Sequence, residues 1–312
     1  MKKINLVLGI VLMLSVSSKK ASAQYYFYND KYYDNPFTFE LGGSVGMMNC
    51  FTDLGGNKGI GKKSLKDLNL GQTHIAGSVS LTAMYQYMLG LRLEATFGSV
   101  SADDKVLKKV APSTFGRYER NLSFKSKITD IMLAVEIHPL YIINRKDEDK
   151  EPPLLSPYLL AGVGFFSFNP QAKLGSKWID LQPLSTEGQG FAEYPDRKPY
   201  KLNQLNIPFG LGVKYEIGTS FSLRLEGVYR KLSTDYLDDV SSLYYADPSL
   251  YANYFTGAKL TNALLLNNRH YELDPSHGYD TRDERGNPKN KDSYFTFNLK
   301  VGYTFGREKI RR

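Results

Sequence analysis

The chain has 312 residues, with 40 basic and 32 acidic side chains and a formal charge of +8. Removing the four leader lysines Lys2, Lys3, Lys19 and Lys20 leaves about +4, too modest an excess to argue for nucleic acid as a partner. The single cysteine, Cys50, excludes an internal disulfide framework, and 23 Tyr with 17 Phe against one Trp exceed what a water-soluble core requires.

Lys2 and Lys3 precede an apolar run from Leu6 to Val16, and Ala21-Ser22-Ala23 then reads as a small-residue cleavage site. A run of about 11 residues is too short for a membrane-spanning helix, which needs about 20. The pattern is that of a cleaved export signal over 1–23. Cys50 lies too far beyond it to be a lipoprotein cysteine, and is expected to be a small inert side chain near a strand end.

Period-two alternation then recurs in segments of the length that tilted strands need to cross a bilayer. In the first, Phe39, Leu41, Val45 and Met47 oppose Thr38, Glu40, Gly42 and Ser44. The second, His74 to Tyr87, is followed by an expected turn at Met88-Leu89-Gly90 and by a third with Arg92 and Glu94 on its polar face. The fourth, from about Leu122 to Ile137, changes phase between Ile128 and Ile131, which predicts a β-bulge near Thr129-Asp130. Tyr158 to Phe168 is apolar on both faces, so its inward set cannot be assigned. The sixth carries Lys214 and Glu216 on its polar face, and its Pro208 demands an edge or a bulge. The seventh carries Arg224, Glu226 and Arg230, and the last, Phe295 to Phe305, carries Lys300.

Connection lengths support one architecture. Links at 88–90, 217–220 and, less tightly, 138–157 alternate with long ones at about 48–73, 100–121, 169–204 and 231–293. Short periplasmic turns and long outer loops distinguish an outer-membrane barrel, whereas a soluble sandwich has no reason to sort its loops this way. The expected fold is all-β: an eight-stranded antiparallel outer-membrane β-barrel with long extracellular loops. The last loop is expected to be partly helical, with Asp247-Pro248 capping one helix and a further turn over Leu260 to Leu266.

Inward Glu40, Arg92, Glu94, Lys214, Glu216, Arg224, Glu226 and Lys300 can meet across an eight-stranded lumen, which is just wide enough for side chains to fill. Charges withdrawn from water persist when paired. A salt-bridged plug is expected there, the competing reading being a solvated sheet face. No catalytic set, metal site or cofactor is expected. His74, His138, His270 and His277 lack ligand spacing, and ion-paired interior carboxylates are commoner than an acid/base pair of Glu94 and Glu226. Gly56 to Lys63 approaches a phosphate-binding loop, but Lys63 stands where Ser or Thr should hold magnesium, so nucleotide is not expected.

Four sequence blocks carry a more particular likeness. They are Asp53-Leu54-Gly55-Gly56-Asn57, Arg120 to Ser126, Trp178-Ile179-Asp180-Leu181-Gln182-Pro183-Leu184-Ser185-Thr186-Glu187-Gly188-Gln189-Gly190, and Asp235-Tyr236-Leu237-Asp238-Asp239-Val240-Ser241. Over about 37–305 the chain resembles the PorG-type outer-membrane β-barrels of Bacteroidetes, departing from their pattern at Cys50-Phe51-Thr52. The resemblance implies a component of the type IX protein secretion system. Its barrel would tie the periplasmic ring, a lipoprotein and its partner, to the outer membrane. Candidate periplasmic contacts are the Tyr-rich segment 24–36, Arg145 and Lys146, and Arg307 and Arg311 in the basic tail 306–312. Outer-membrane lipids are the other expected partner. The rival readings are a small-ligand porin or surface-binding barrel, and an outer-membrane hydrolase.

Overall fold

The computed structural model describes residues 36–56, 70–108, 114–144, 154–218, 220–276, 282–289 and 291–306. The export signal, residues 24–35, Asn57 to Lys63, Arg145, Lys146, His277, Arg307 and Arg311 lie outside the described residues.

Among the described residues nine strands form one antiparallel sheet: β1 (Phe37–Phe51), β2 (His74–Tyr85), β3 (Leu89–Asp103), β4 (Ser123–Ile137), β5 (Leu155–Leu174), β6 (Lys177–Asp180), β7 (Asn203–Ile217), β8 (Phe221–Leu232) and β9 (Ser293–Phe305). The eight long strands close into a barrel because β1 pairs with β9 and β4 pairs with β5. Closure leaves no open edge in the wall. Short β6 turns back on β5 beyond the wall. Helices α1 (Phe115–Arg120), α2 (Pro139–Asn144), α3 (Tyr251–Tyr254) and α4 (Gly257–Asn267) lie in the connections. The strand ends joined by 86–88, 218–220 and 138–154 lie at one end of the barrel, and those joined by the four long connections at the other.

The wall turns apolar side chains outward. Val45 is 60 % exposed, Leu133 47 % and Leu225 48 %, whereas Arg92 and Arg224 inside are fully buried. Water does not tolerate such a continuous apolar belt on a monomer, so lipid is its solvent. Aromatic pairs edge the belt at both ends. Phe37–Tyr85 at 5.1 Å, Phe39–Phe305 at 5.8 Å and Phe221–Tyr303 at 5.4 Å lie at the turn end. Phe209–Tyr229 at 5.0 Å and Phe51–Phe295 at 5.5 Å lie toward the loops. The fold is an eight-stranded barrel of the outer-membrane kind.

Several local expectations are corrected. The β3–β4 and β4–β5 registers run unbroken through Thr129 and Asp130, so there is no bulge. Even-numbered residues of β4 face the lumen throughout. The apolar set changes phase because the lumen itself changes character: Phe124 and Ile128 face an apolar upper half, while Asp130 and Glu136 face a charged lower half. The β2–β3 turn is centred on Gln86 and Tyr87, both left-handed (φ 48° and 58°), a geometry suited to a hairpin. Leu89 and Gly90 already pair with Tyr85 and Met84. Gly90 serves close packing instead: a Cβ there would lie 2.6 Å from Met84 Sδ. Pro208 causes neither an edge nor a bulge. It pairs with Arg230, and on its other side the β5–β7 ladder skips from Ala161↔Phe209 to Gly164↔Asn206 without changing register. The missing N–H costs rungs, not alignment. On β5 the inward set is Ser156, Tyr158, Leu160, Phe166 and Phe168.

In the last loop Asp247 caps a 3-10 turn, its carboxylate accepting from the Ser249 amide at 2.8 Å. The following helix α4 spans 11 residues and buries Ala263, Leu266 and Asn267 toward the barrel mouth.

Leu225 faces lipid between Val213 and Leu299, midway along its strand. Leu225→Arg should destabilise the folded barrel by roughly 2–4 kcal/mol, as arginine at a bilayer midplane does. Urea unfolding in phospholipid vesicles checks this, and an unchanged midpoint would place the residue in water.

Candidate functional site

The lumen is filled in layers. Nearest the turn end, Glu40 on β1 meets Lys214 Nζ at 3.0 Å and pairs with Arg224, while Lys214 also reaches Glu216 at 3.4 Å. One layer up, Arg92 is held by three carboxylates: Glu136, Glu226 at 2.5 Å and Glu94 at 3.3 Å. Arg224 shares Glu136 at 3.0 Å, and Lys300 joins Glu94 to Glu226, the latter at 3.5 Å. The Tyr158 hydroxyl donates to Glu226 at 2.6 Å, and its ring lies under the guanidinium groups of Arg92 and Arg224 at 5.7 and 5.3 Å. A Cβ at Gly212 would sit 2.5 Å from Tyr158 Cζ, so glycine makes room for that ring. The top layer is Arg230 with Asp130 at 2.7 Å, Thr296 at 3.0 Å and Asn206 bridging to Asp130 at 2.7 Å.

Both ends are stopped. At the turn end, buried His138 stacks on Tyr158 at 5.1 Å and lies beside Tyr141, which stacks on Tyr87. Above Arg230, Met48, Ile128, Phe166, Phe168 and Tyr294 form an apolar layer continuous with the loops. The eight lumen residues named from sequence alternation stand in one network. Asp130, Glu136, His138 and Tyr158 belong to it equally and had no such signal. Glu136 and Asp130 were hidden by the phase change of β4, and Tyr158 by the two-sided apolarity of β5. Arg230 was on a polar face but without an acidic neighbour two residues away.

The sequence blocks of the loops converge on a second, buried polar node over the mouth. Glu187 accepts from the Ser241 and Ser242 amides, each at 3.0 Å, and from Arg285 Nε at 3.0 Å. Asp239, left-handed at φ 66°, accepts from the Thr186 hydroxyl and from Tyr200 OH at 2.6 Å. Asp238 accepts from the amides of Leu54 at 3.2 Å and Val240 at 3.0 Å, and so ties the first loop to the last. Arg120 joins the second loop through Asp104 at 2.8 Å, and donates to the carbonyls of Arg285 at 2.5 Å and Asp53 at 2.8 Å. Burial pushes the Asp239 carboxyl up to about 7, with Glu187 adding to the rise and Arg285 and the two hydroxyls opposing it. Burial also raises the Tyr200 hydroxyl, with Asp239 beside it acting the same way.

Leu181 is buried, Gln182 donates to the Tyr200 carbonyl at 3.2 Å and starts a 3-10 turn, and Pro183 is the second residue of that turn. Gly188 is left-handed (φ 71°) against Tyr194, and Tyr236 stacks on Tyr200 at 4.6 Å. Trp178 does not join this node; it is half-exposed on β6 with Lys125 Nζ 5.9 Å from its ring. Cys50 is buried near the end of β1. Beside the node a cleft of about 500 Å³ opens outward, lined by Phe51, Gln72, Arg117, Tyr245, Asp283 and Asn287 among others.

No family model matches the chain, and no curated protein matches it. Solved structures similar to it include three bacterial barrels. A major outer membrane protein from Thermus thermophilus is 14% identical, covering 86% of this chain and 99% of that one, with a TM-score of 0.41. Ail, the attachment invasion locus protein of Yersinia pestis, is 8% identical over 86% and 99%, with a TM-score of 0.38. The outer membrane protein OprG of Pseudomonas aeruginosa is 10% identical over 87% and 97%, with a TM-score of 0.35.

Arg92 neutralises three carboxylates that have no water to turn to. Arg92→Ala should therefore cost about 3–5 kcal/mol of barrel stability, the range for breaking a buried pair from one side. Combining it with Glu136→Ala should cost less than the two single changes added together. Urea unfolding of the four proteins in vesicles measures the coupling; strict additivity would mean that the pair does not interact.

Proposed function

We propose that this barrel is a non-enzymatic component of a protein export machine of the type IX kind, fixing a periplasmic ring of a lipoprotein and its partner to the outer membrane. Placement in the outer membrane is supported by the lipid-facing wall, the sorting of short turns and long loops to opposite ends, and the export signal. The observation that carries the functional reading is the filled lumen. A barrel whose interior is occupied by Arg92, Arg224, Arg230, Lys300 and their carboxylates offers no path for solutes, so its work is done at its surfaces. The likeness of the four loop blocks to the PorG-type barrels supplies the particular partner.

Docking of a periplasmic ring uses the turn end. There α2 leaves Ile142 and Ile143 exposed, immediately before the charged run that starts with Arg145 and Lys146. The basic tail with Arg307 and Arg311 follows β9 at the same end. Exposed apolar residues followed in the sequence by a charged run suit a protein partner better than bulk solvent.

The surface-binding reading has one observation in its favour, the outward cleft beside Arg117 and Tyr245. The two readings part in a deletion strain. Loss of the gene should leave secreted cargo in the periplasm, and restoring the chain should release it. Normal secretion from the deletion strain would reject the export role.

A further inference from the structure

Beyond the lipid belt, the outer wall carries an ordered set of polar side chains, among them exposed lysines that neither the lumen nor the cap uses. On three adjacent strand lines the last outward apolar residues are Ile131 on β4, Phe165 on β5 and Leu205 on β7. Two residues further out, Thr129, Ser167 and Asn203 form one continuous paired row. Another two residues on, Lys127 pairs with Asn169. Beyond the last paired rung, Ser167↔Asn203, the Phe168 amide donates to the Leu202 carbonyl at 2.9 Å, which brings Lys201 to about the level of Asn169. Lys127, Asn169 and Lys201 thus stand in a row, each four residues beyond the end of the belt.

The level of that row is informative. Four residues rise about 13 Å along a strand, or about 10 Å along the membrane normal at a tilt of about 40°. A lysine stem bends several ångströms back toward the interface, so its ammonium reaches the headgroup phosphates. Strands two apart are about 10 Å from each other, so one headgroup fits between Lys127 and Lys201, above the hydroxyls of Thr129 and Ser167. Both lysines are exposed, and among the described residues neither has an ion-pair partner. The nearby carboxylate, Asp180 on β6, is engaged by Asn169 Nδ2 at 3.0 Å and Gln171 Nε2 at 2.6 Å. Lys125 adds a third cation one row further out, beside Trp178. On neighbouring β3 the matching outward positions are Ser99 and Ser101, which are uncharged.

We propose that the outward face of β4, β5 and β7 binds the phosphate of an outer-leaflet lipid, seated between Lys127 and Lys201. The site rests on the loop end facing outward, as the proposed function has it, and adds a specific lipid to a wall otherwise wetted by any hydrocarbon. Charge complementarity and continuity with the belt select a lipid over a soluble anion: a phosphate in this plane is brought there by its acyl chains.

The test uses the full-length mature barrel in phosphatidylcholine nanodiscs containing lipid A at low mole fraction, extracted into mild detergent and weighed by native mass spectrometry. Wild-type protein should retain lipid A. The double variant Lys127→Gln, Lys201→Gln should bind it about 25-fold more weakly, roughly fivefold per lysine near an anionic surface. Lys289→Gln, in the outer cap, should bind like wild type. Equal retention by the double variant would overturn the site. Displacement by millimolar inorganic phosphate would overturn the commitment to a lipid. Heat-modifiable migration separates the outcomes: a wild-type barrel that folds and inserts but retains no lipid A sinks this inference alone, whereas a wild-type barrel that fails to insert sinks the membrane reading beneath it.

Discussion

The structure depends on one constraint: eight tilted strands enclose a space that side chains can fill, and whatever fills it has left bulk water. Five cations, Arg92, Lys214, Arg224, Arg230 and Lys300, stand in that space with six carboxylates, Glu40, Glu94, Asp130, Glu136, Glu216 and Glu226. None of them is exposed, so each must find its counter-charge across the lumen. The cross-links follow from that need: Glu40 on β1 reaches β7 and β8, and Arg92 on β3 reaches β4 and β8. Lipid outside and paired charge inside are two sides of the same wall, since strand alternation assigns every second residue to each.

The lumen is not uniform along its axis. Its lower half is charged and its upper half apolar, and the change falls between Asp130 and Ile128 on a single strand. Tyr158 belongs to the charged half, with a hydroxyl bonded to Glu226 and a ring under two guanidinium groups. Above the apolar half the cap continues the same packing, Phe168 stacking on Tyr200 and Tyr200 on Tyr236. The loop blocks are therefore structural neighbours of the barrel core as well as its outer surface. Glu187, Asp239 and Arg285 hold them together in the way that Arg92 and Glu136 hold the strands.

Strands with a polar inner face and an apolar outer face were legible in the sequence, because a single alternation encodes both solvents. β8 shows this most clearly, with Phe221, Leu225 and Tyr229 against Arg224, Glu226 and Arg230. Legibility failed where the inside is itself apolar. On β4 the lumen-facing Phe124 and Ile128 mimic a lipid-facing set, and the true outward residues there, Lys125 and Lys127, lie beyond the apolar belt. On β5 both faces are apolar for most of the strand, so neither Tyr158 nor Phe166 could be assigned inward. Glu187 meets Ser241 54 positions away and Asp238 meets Leu54 184 positions away, and no local pattern announces such contacts. The row of Lys127, Asn169 and Lys201 was invisible for a related reason: it depends on which strands become neighbours.

The central claim is that paired side chains occupy the lumen and leave no water path from one end to the other. Recording of single barrels in planar bilayers tests it most directly. The account predicts an electrically silent protein across a broad range of voltage and salt. Steady, stepwise ionic current through the wild-type barrel would contradict it.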